Sequence, residues 1–465
     1  MRLMRYAAAP TRATGAIVAA GFGVSVAVNW PGHLSYDSVV QLYEGRSAQY
    51  GGWHPPVMSW LLGVGDRIVS GTGLFVLFDA SLLYLALMGL VLLRRRTSWV
   101  AAAIALGLVA TPQFLLYPGI VWKDVLFAAA SCLGFVSLAY LAVHWNGRWA
   151  RLALFVSALL LLALASLARQ NGFVTLPVAA WVIGWIAYRT ERRRLRSIGF
   201  AALWLAAALA ALTGSMLALN SRWTGASGPT GQMRLLATYD LAGALASDPR
   251  LPLERLDEED PGLARLMREQ AARLYTPERN DTLVNSAELQ RALNRADERL
   301  VPAQWNDLIA GNPLLYLKLR WAAFRWVFFT PDLLACRPVF VGVSGPPELM
   351  RNLGIAPRMD ARDNWLFRYA LLFSGTPIWS HATFALIGLV ALVLLLRRRR
   401  HEDIAIAGLL MSSFAFAASF FVISIACDYR YLYFLDVAAL SSALYLGLDA
   451  LQGAGTAGSA PGSNN

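Results

Sequence analysis

Residues 55–70, PPVMSWLLGVGDRIVS, decide how the whole chain is threaded. The stretch is apolar enough to pass for a membrane span. Counting it as one would place Arg94, Arg95 and Arg96 on the outer side and invert every later segment, against the tendency of short cytoplasmic loops to collect Lys and Arg. Asp66 and Arg67 also stand in its middle. We therefore read 55–70 as a helix lying in the interface, and the rest of the topology follows from that choice.

The chain has 465 residues, 57% of them apolar, and a mean hydropathy of +0.47. Many stretches approach the ~20 apolar residues that cross a bilayer. The expected class is an all-α polytopic membrane protein with about ten spans. They lie near 14–30, 72–93, 98–118, 120–142, 152–168, 172–188, 198–219, 377–396, 404–426 and 431–448. With 55–70 in the interface, alternate ends gather Arg2, Arg5, Arg12, Arg94 to Arg96, Arg148, Arg151, Arg189, Arg192 to Arg194, Arg196 and Arg397 to Arg400. Only Glu191, Glu402, Asp403 and Asp449 oppose them there, and the other charges nearly cancel. The net charge of +12 is thus a topology signal, and a nucleic-acid partner is not needed to explain it. This reading puts both termini in the cytoplasm of a multi-pass protein of the cytoplasmic (inner) membrane, with an uncleaved N-terminal anchor.

The chain then divides into an N-terminal membrane module at 1–219 containing the first outer loop, 31–71. A small, mainly helical extracytoplasmic domain follows at 220–365, then a C-terminal membrane module at 366–451 and a low-complexity tail at 452–465, expected to be disordered. Within the outer domain, helical patterns run over 261–275 and 286–299, and another opens at Asn312-Pro313. The last interleaves Trp321 and Trp326 with Lys318, Arg320 and Arg325, which suits either a helix flat in the headgroup layer or one packed in the domain. Its 18 basic and 18 acidic residues are balanced. Cys336 and Cys427 both fall outside and could pair in an oxidising compartment, while Cys132 falls in a span.

Charges at or inside the bilayer are costly unless paired or facing a watery cavity, which makes them functional candidates. Here they are Asp79, Lys123, Asp124, Arg169, Asp428, Arg430 and Asp436, all toward the outer side and near Asp37 of the first loop. Lys123, Arg169 and Arg430 form a plausible receptor for a phosphate. Asp37 is the candidate general base for an acceptor hydroxyl, with His54 and Asp124 beside it as substrate-binding candidates. Glu44, Asp79 and Tyr429 are secondary candidates. Simpler roles stand alongside: Asp37 as a helix N-cap, His54 as the shaper of a turn before two prolines, Lys123 as a snorkelling lysine, and the arginines as structural ion pairs. No cofactor is implied; His33, His54 and Asp37 could gather a divalent metal, but no pattern calls for one.

Asp37 in the first outer loop, Gly45 and the aromatic turn after it, His54-Pro55-Pro56 before Trp60-Leu61, and Lys123-Asp124 at a helix start resemble one group. They look like the GT-C membrane glycosyltransferases that use polyprenyl-phosphate sugars, among them protein mannosyltransferases and the aminoarabinose transferase of lipid A. The motif resemblance covers roughly the first 170 residues and extends to Arg430. It implies inverting transfer of a hexosyl or pentosyl group from a polyprenyl-phosphate donor to an extracytoplasmic glycan, lipid or protein, with Asp37 as base and the outer domain helping to select the acceptor. Many members carry Asp-Glu where this chain has Asp37-Ser38, so a second carboxylate would come from Asp124 or Glu44. The alternative of another class is a transporter or flippase of an anionic lipid-linked glycan, using the same charges as a translocation site.

Overall fold

The computed structural model describes residues 8–51, 53–220 and 229–449. Arg2, Arg5 and the tail at 452–465 lie outside them. The principal helices are α1 (Ala9–Asn29), α2 (Tyr36–Ser47), α3 (Pro56–Ile68), α4 (Gly73–Leu92), α5 (Trp99–Val109), α6 (Lys123–His144), α7 (Arg148–Ala168), α8 (Thr175–Glu191) and α9 (Arg194–Asn220). They continue as α10 (Pro229–Ser247), α11 (Leu300–Gly311), α12 (Pro313–Phe329), α13 (Ala361–Leu371), α14 (His381–Arg398), α15 (Asp403–Ile423) and α16 (Tyr433–Gly447). The all-α polytopic class is the one found.

Among the described residues, eight helices are long and apolar enough to cross a membrane, or nine if one bent pair counts as a span. The expectation was about ten, and two segments account for the difference. The segment at 98–118 is broken into α5 and Pro112–Gly119, at 73° to each other. Thr111, caught before Pro112, takes an extended backbone with ψ 151°, because a proline ring crowds the helical conformation of the residue ahead of it. The last segment forms a helix of only 15 residues, α16, entered through a tight turn at Tyr429–Leu432. As expected, 55–70 is not a span: α3 runs for 13 residues and packs against α2, α4 and α7.

Helix α6 is the central post of the bundle, with 89% of its most apolar window buried, whereas α9 has 17%. Helices α4, α7, α15 and α16 surround α6, while α9 leans on α7 and α8 at the periphery. A second apolar core joins Leu236, Tyr239, Met267, Leu289, Trp305 and Leu319. The stretch expected as one outer domain at 220–365 contributes to both cores, since Val327, Cys336, Val343 and Leu353 belong to the main one. The pattern at 261–275 forms a helical run from Pro261 to Leu274, and that at 286–299 is shorter, Ala287–Arg295. On α12, Leu319, Arg320 and Ala323 are buried, while Leu314 and Trp321 stay exposed, so the helix packs in the domain along one face.

Polar ties fasten the second core to the membrane bundle. Arg320, fully buried, lies 3.0 Å from Asp240 and donates to the carbonyls of Val422 and Ser424 at the end of α15. Breaking such a buried pair from one side typically costs about 3–5 kcal/mol, because the partner charge is left without compensation. Cys336 and Cys427 are disulfide-bonded, and Cys132 is free and buried in α6. Beside the disulfide, Arg279 and Ala426 form a backbone bridge.

Candidate active site between α2 and the start of α6

Hydrogen bonds from residues 33–38 set α2 against the start of α6. The His33 amide donates to the Gly119 carbonyl at 2.9 Å, and the Val121 amide donates to the His33 carbonyl at 3.0 Å. Ser38 Oγ donates to the Val121 carbonyl at 2.6 Å, and Trp122 Nε1 donates to Ser35 Oγ at 2.9 Å. Ser35, not Asp37, is the N-cap residue of α2. Asp37 sits one position inside the first turn, where the helix dipole favours a negative charge and where its carboxylate is free to face α6.

The turn from α2 to α3 folds back over this junction because the helices meet at Gly45 and Gly63. A Cβ on either glycine would collide with the backbone of the other helix. Glu44 locks the same contact, accepting from Ser59 Oγ at 2.7 Å and from the Gly51 amide at 2.9 Å. Burial raises its pKa, against those hydrogen bonds. The fold-back carries His54, only 6% exposed, to the edge of the acid. Its Nε2 lies 3.8 Å from Asp37 Oδ1 and its Nδ1 is 3.4 Å from Lys123 Nζ. An ammonium can only donate, so Nδ1 accepts and the imidazole proton is assigned to Nε2, facing Asp37.

Arg430 arrives from the turn before α16. One of its Nη2 contacts is a hydrogen bond to Asp37 Oδ2 at 2.7 Å, and another goes to Asp428 at 3.1 Å. Its guanidinium lies over the Trp122 ring, 4.8 Å from the centroid, and its Nε is 3.9 Å from Asp124. Arg169, just past α7, lies 3.1 Å from Asp124 and 5.4 Å from the ring centroids of Phe420 and Tyr431. Aromatic faces hold both forks in place while offering no acceptor that would compete with an anion. Both carboxylate oxygens of Asp124 and the Nε atoms of Arg169 and Arg430 are buried without a hydrogen bond.

The structure therefore brings Asp37, His54, Lys123, Asp124, Arg169 and Arg430 into one cluster. Asp428 joins it through Arg430, whereas Asp79, Tyr429 and Asp436 do not. Asp79 is buried in α4 with neither oxygen hydrogen-bonded. Tyr429, buried beneath Arg430, points away, donating to Asp436 at 2.7 Å; Asp436 in turn faces His381 at 2.7 Å. Nor does His33 gather with Asp37 and His54. It lies in the loop wall, with Nε2 3.0 Å from Asn29 Oδ1 and Nδ1 accepting from the Gly342 amide at 3.0 Å. Two contributors escaped the sequence. Arg279 donates to Asp428 at 2.7 Å, and nothing marks it among the basic residues of its region. Trp122 had a cue, an aromatic residue beside Lys123.

Burial opposes ionisation of Asp37, but Arg430, helped by Lys123, outweighs it and holds the carboxyl well below the usual range. The acid is a carboxylate at any physiological pH, and 29% of its side chain remains exposed. His54 goes the other way. Burial, with Lys123 adding to it, lowers its pKa to about 3 from 6.5, against the pull of Asp37. Between those values the folded chain binds fewer protons at His54 than the unfolded chain. The stability present above pH 6.5 is accordingly lost as the pH falls toward 3, at up to about 1.4 kcal/mol per pH unit. A His54→Gln variant should show a flatter fall in melting temperature between pH 7 and 4 than the parent in the same detergent. An identical slope would remove His54 from that role. His33, also lowered, remains in both proteins and does not affect the difference.

No protein-family model and no curated protein sequence matches the chain significantly. Two solved structures resemble it in outline. One is the archaeal oligosaccharyltransferase AglB from Archaeoglobus fulgidus in complex with an inhibitory peptide and a dolichol-phosphate, at TM-score 0.42 and 15% identity. The other is an Archaeoglobus fulgidus oligosaccharyltransferase in the apo form, at TM-score 0.42 and 16% identity. Each alignment covers 93% of this chain and 50% of the other. The chain thus spans about half the length of these enzymes, and a likeness at this level carries no argument about chemistry.

Proposed function

We propose that the protein is a membrane glycosyltransferase that moves a sugar from a polyprenyl-phosphate donor to a hydroxyl acceptor on the outer side of the membrane. The observation that carries this reading is the meeting of one ionised acid, Asp37, with Lys123, Arg169 and Arg430 at the ends of membrane helices. The motif resemblance of the first outer loop supports it independently.

In the proposed step, the donor phosphate binds among the three cations, using the unspent Nε donors of Arg169 and Arg430. Arg430 then divides its charge between the phosphate and Asp37, so the carboxylate becomes a stronger base when the donor is in place. The acceptor hydroxyl gives its proton to Asp37 as its oxygen bonds to the anomeric carbon. The bond from that carbon to the phosphate oxygen breaks, its electron pair stays on the phosphate, and the anomeric configuration inverts. The leaving charge is stabilised by cations fixed beforehand. The step as written invokes no metal or other cofactor. His54, neutral, helps keep the acid oriented. The helical region around the second core is assigned to acceptor selection. The arginine-rich end is assigned to the cytoplasmic face of the cytoplasmic membrane, with both termini there.

The test is reconstitution in liposomes with a polyprenyl-phosphate sugar labelled in the sugar and a mixture of cell-envelope acceptors. Release of polyprenyl phosphate together with a new labelled glycosidic bond is the expected result. Movement of the intact labelled lipid between leaflets, with no such bond, would establish the transporter instead.

A further inference from the structure

The end of the bundle opposite the Asp37 cluster neutralises its arginines unevenly. Arg94 meets Glu402 at 2.6 Å and Asp449 at 3.1 Å, Arg398 meets Asp403 at 2.5 Å, and Arg400 meets Asp449 at 2.6 Å. A few residues away the pattern stops. Arg193 and Arg196 have no ion pair among the described residues. Arg151 reaches Glu191 only at 4.0 Å, and Glu191 is already accepting from Trp145 Nε1 at 3.0 Å. Arg193 and Arg196 are exposed, at the rim of an open groove. Arg151, Glu191, Arg193, Arg196, Gly199 and Phe200 line a cavity of about 700 Å³ where the start of α7 and the end of α8 face α9.

The cavity is shaped for an anion with an apolar body. Arg151 lies near two aromatic rings, 5.4 Å from the centroid of Trp145 and 5.7 Å from that of Phe200, which restricts its fork before any ligand arrives. Three arginines and one glutamate line the groove, and an Arg fork matches phosphate oxygens two at a time. Beyond the arginines the lining turns apolar at Phe200 and Leu203. Leu203, which lines the groove, is 70% exposed on an apolar helix, so this flank faces the membrane, whose molecules must fill the groove. A free phosphate would leave the apolar part of the groove unfilled, whereas a lipid occupies both parts. From Arg151 to Arg169, the length of α7 separates this cavity from the candidate active site by about 27 Å at 1.5 Å per residue. It is a second site.

We propose that this cavity binds a phospholipid with an anionic head, its phosphate among Arg151, Arg193 and Arg196 and an acyl chain along Phe200 and Leu203. The inference does not depend on the reaction proposed above. The probes are dioleoyl-phosphatidylglycerol, dioleoyl-phosphatidylcholine and inorganic phosphate, added to the full chain in a neutral detergent, with bound lipid counted by native mass spectrometry. The parent protein should retain one phosphatidylglycerol with about a tenfold preference over phosphatidylcholine, a difference of about 1.4 kcal/mol. The doubly substituted Arg193→Gln, Arg196→Gln protein should lose that preference.

Gly199→Leu gives an independent check. A Cβ at Gly199 meets nothing within 4 Å, so leucine there intrudes on the cavity without clash or change of charge, and retention should again fall about tenfold. Equal retention of both lipids by the parent protein would overturn the proposal. So would unchanged retention in Gly199→Leu, which would mean that charge alone collects lipid at this end. Displacement of the bound lipid by millimolar inorganic phosphate would identify a free-anion site and also overturn it.

Discussion

Asp37→Asn is expected to lower sugar transfer by about 10²–10⁴-fold, the range usually contributed by a positioned general base. The substitution keeps the shape of the side chain and its capacity to accept from Arg430, but removes the charge that takes the proton. Donor binding should survive, because Lys123, Arg169 and Arg430 are untouched. Arg430 loses its contact with an ionised Asp37 and becomes more available to phosphate, so affinity for polyprenyl phosphate should stay equal or tighten. The two effects separate the roles: turnover falls while the lipid-phosphate dissociation constant does not rise. Size-exclusion profile and melting temperature, measured alongside, establish that the variant is folded. Full turnover in that folded variant would reject Asp37 as the base.

Arg430→Gln should have the next largest consequence, with the opposite signature. Arg430 lies within reach of Asp37, Asp124 and Asp428 at 2.7, 3.9 and 3.1 Å, so its loss leaves three acids to be balanced by Lys123, Arg169 and Arg279. Binding of lipid phosphate should weaken by about a hundredfold, equivalent to roughly 2.7 kcal/mol. The pH dependence should shift as well. Burial pushes the Asp37 pKa up, and Arg430 is the largest influence pulling it down. Without Arg430 that value rises, so activity on acidification should fail at a higher pH than in the parent. Arg430→Lys restores the charge but not the planar fork, and should recover the pH profile more completely than the affinity. If Arg430→Gln binds lipid phosphate as tightly as the parent, the phosphate is not held where we place it.

Much of the architecture was legible locally. Apolar runs of the right length, each bounded by arginines at alternate ends, announce helices that cross a membrane, because both hydropathy and loop charge are properties of neighbouring residues. The candidate acid and cations were also visible, since a charge at the edge of an apolar segment stands out against its surroundings. Asp66 and Arg67 correctly kept α3 out of the list of spans. The break at Thr111-Pro112 had a local cue in its proline, but the angle of 73° depends on what the two pieces pack against.

What the sequence by itself determined is therefore the helical class, the asymmetry between a basic end and a nearly balanced one, and the set of residues able to do chemistry. Only the tertiary structure decided their pairings: Arg430 with Asp37 across 393 positions, Asp124 between two arginines, Asp436 turned aside to His381, and Arg279 brought in from a distant helical region. The physical reason is one of range. Helix formation and hydropathy are settled within a turn or a span, while an ion pair requires two helix ends to arrive at the same few ångströms, which is fixed by how α2, α6, α7 and α16 pack together.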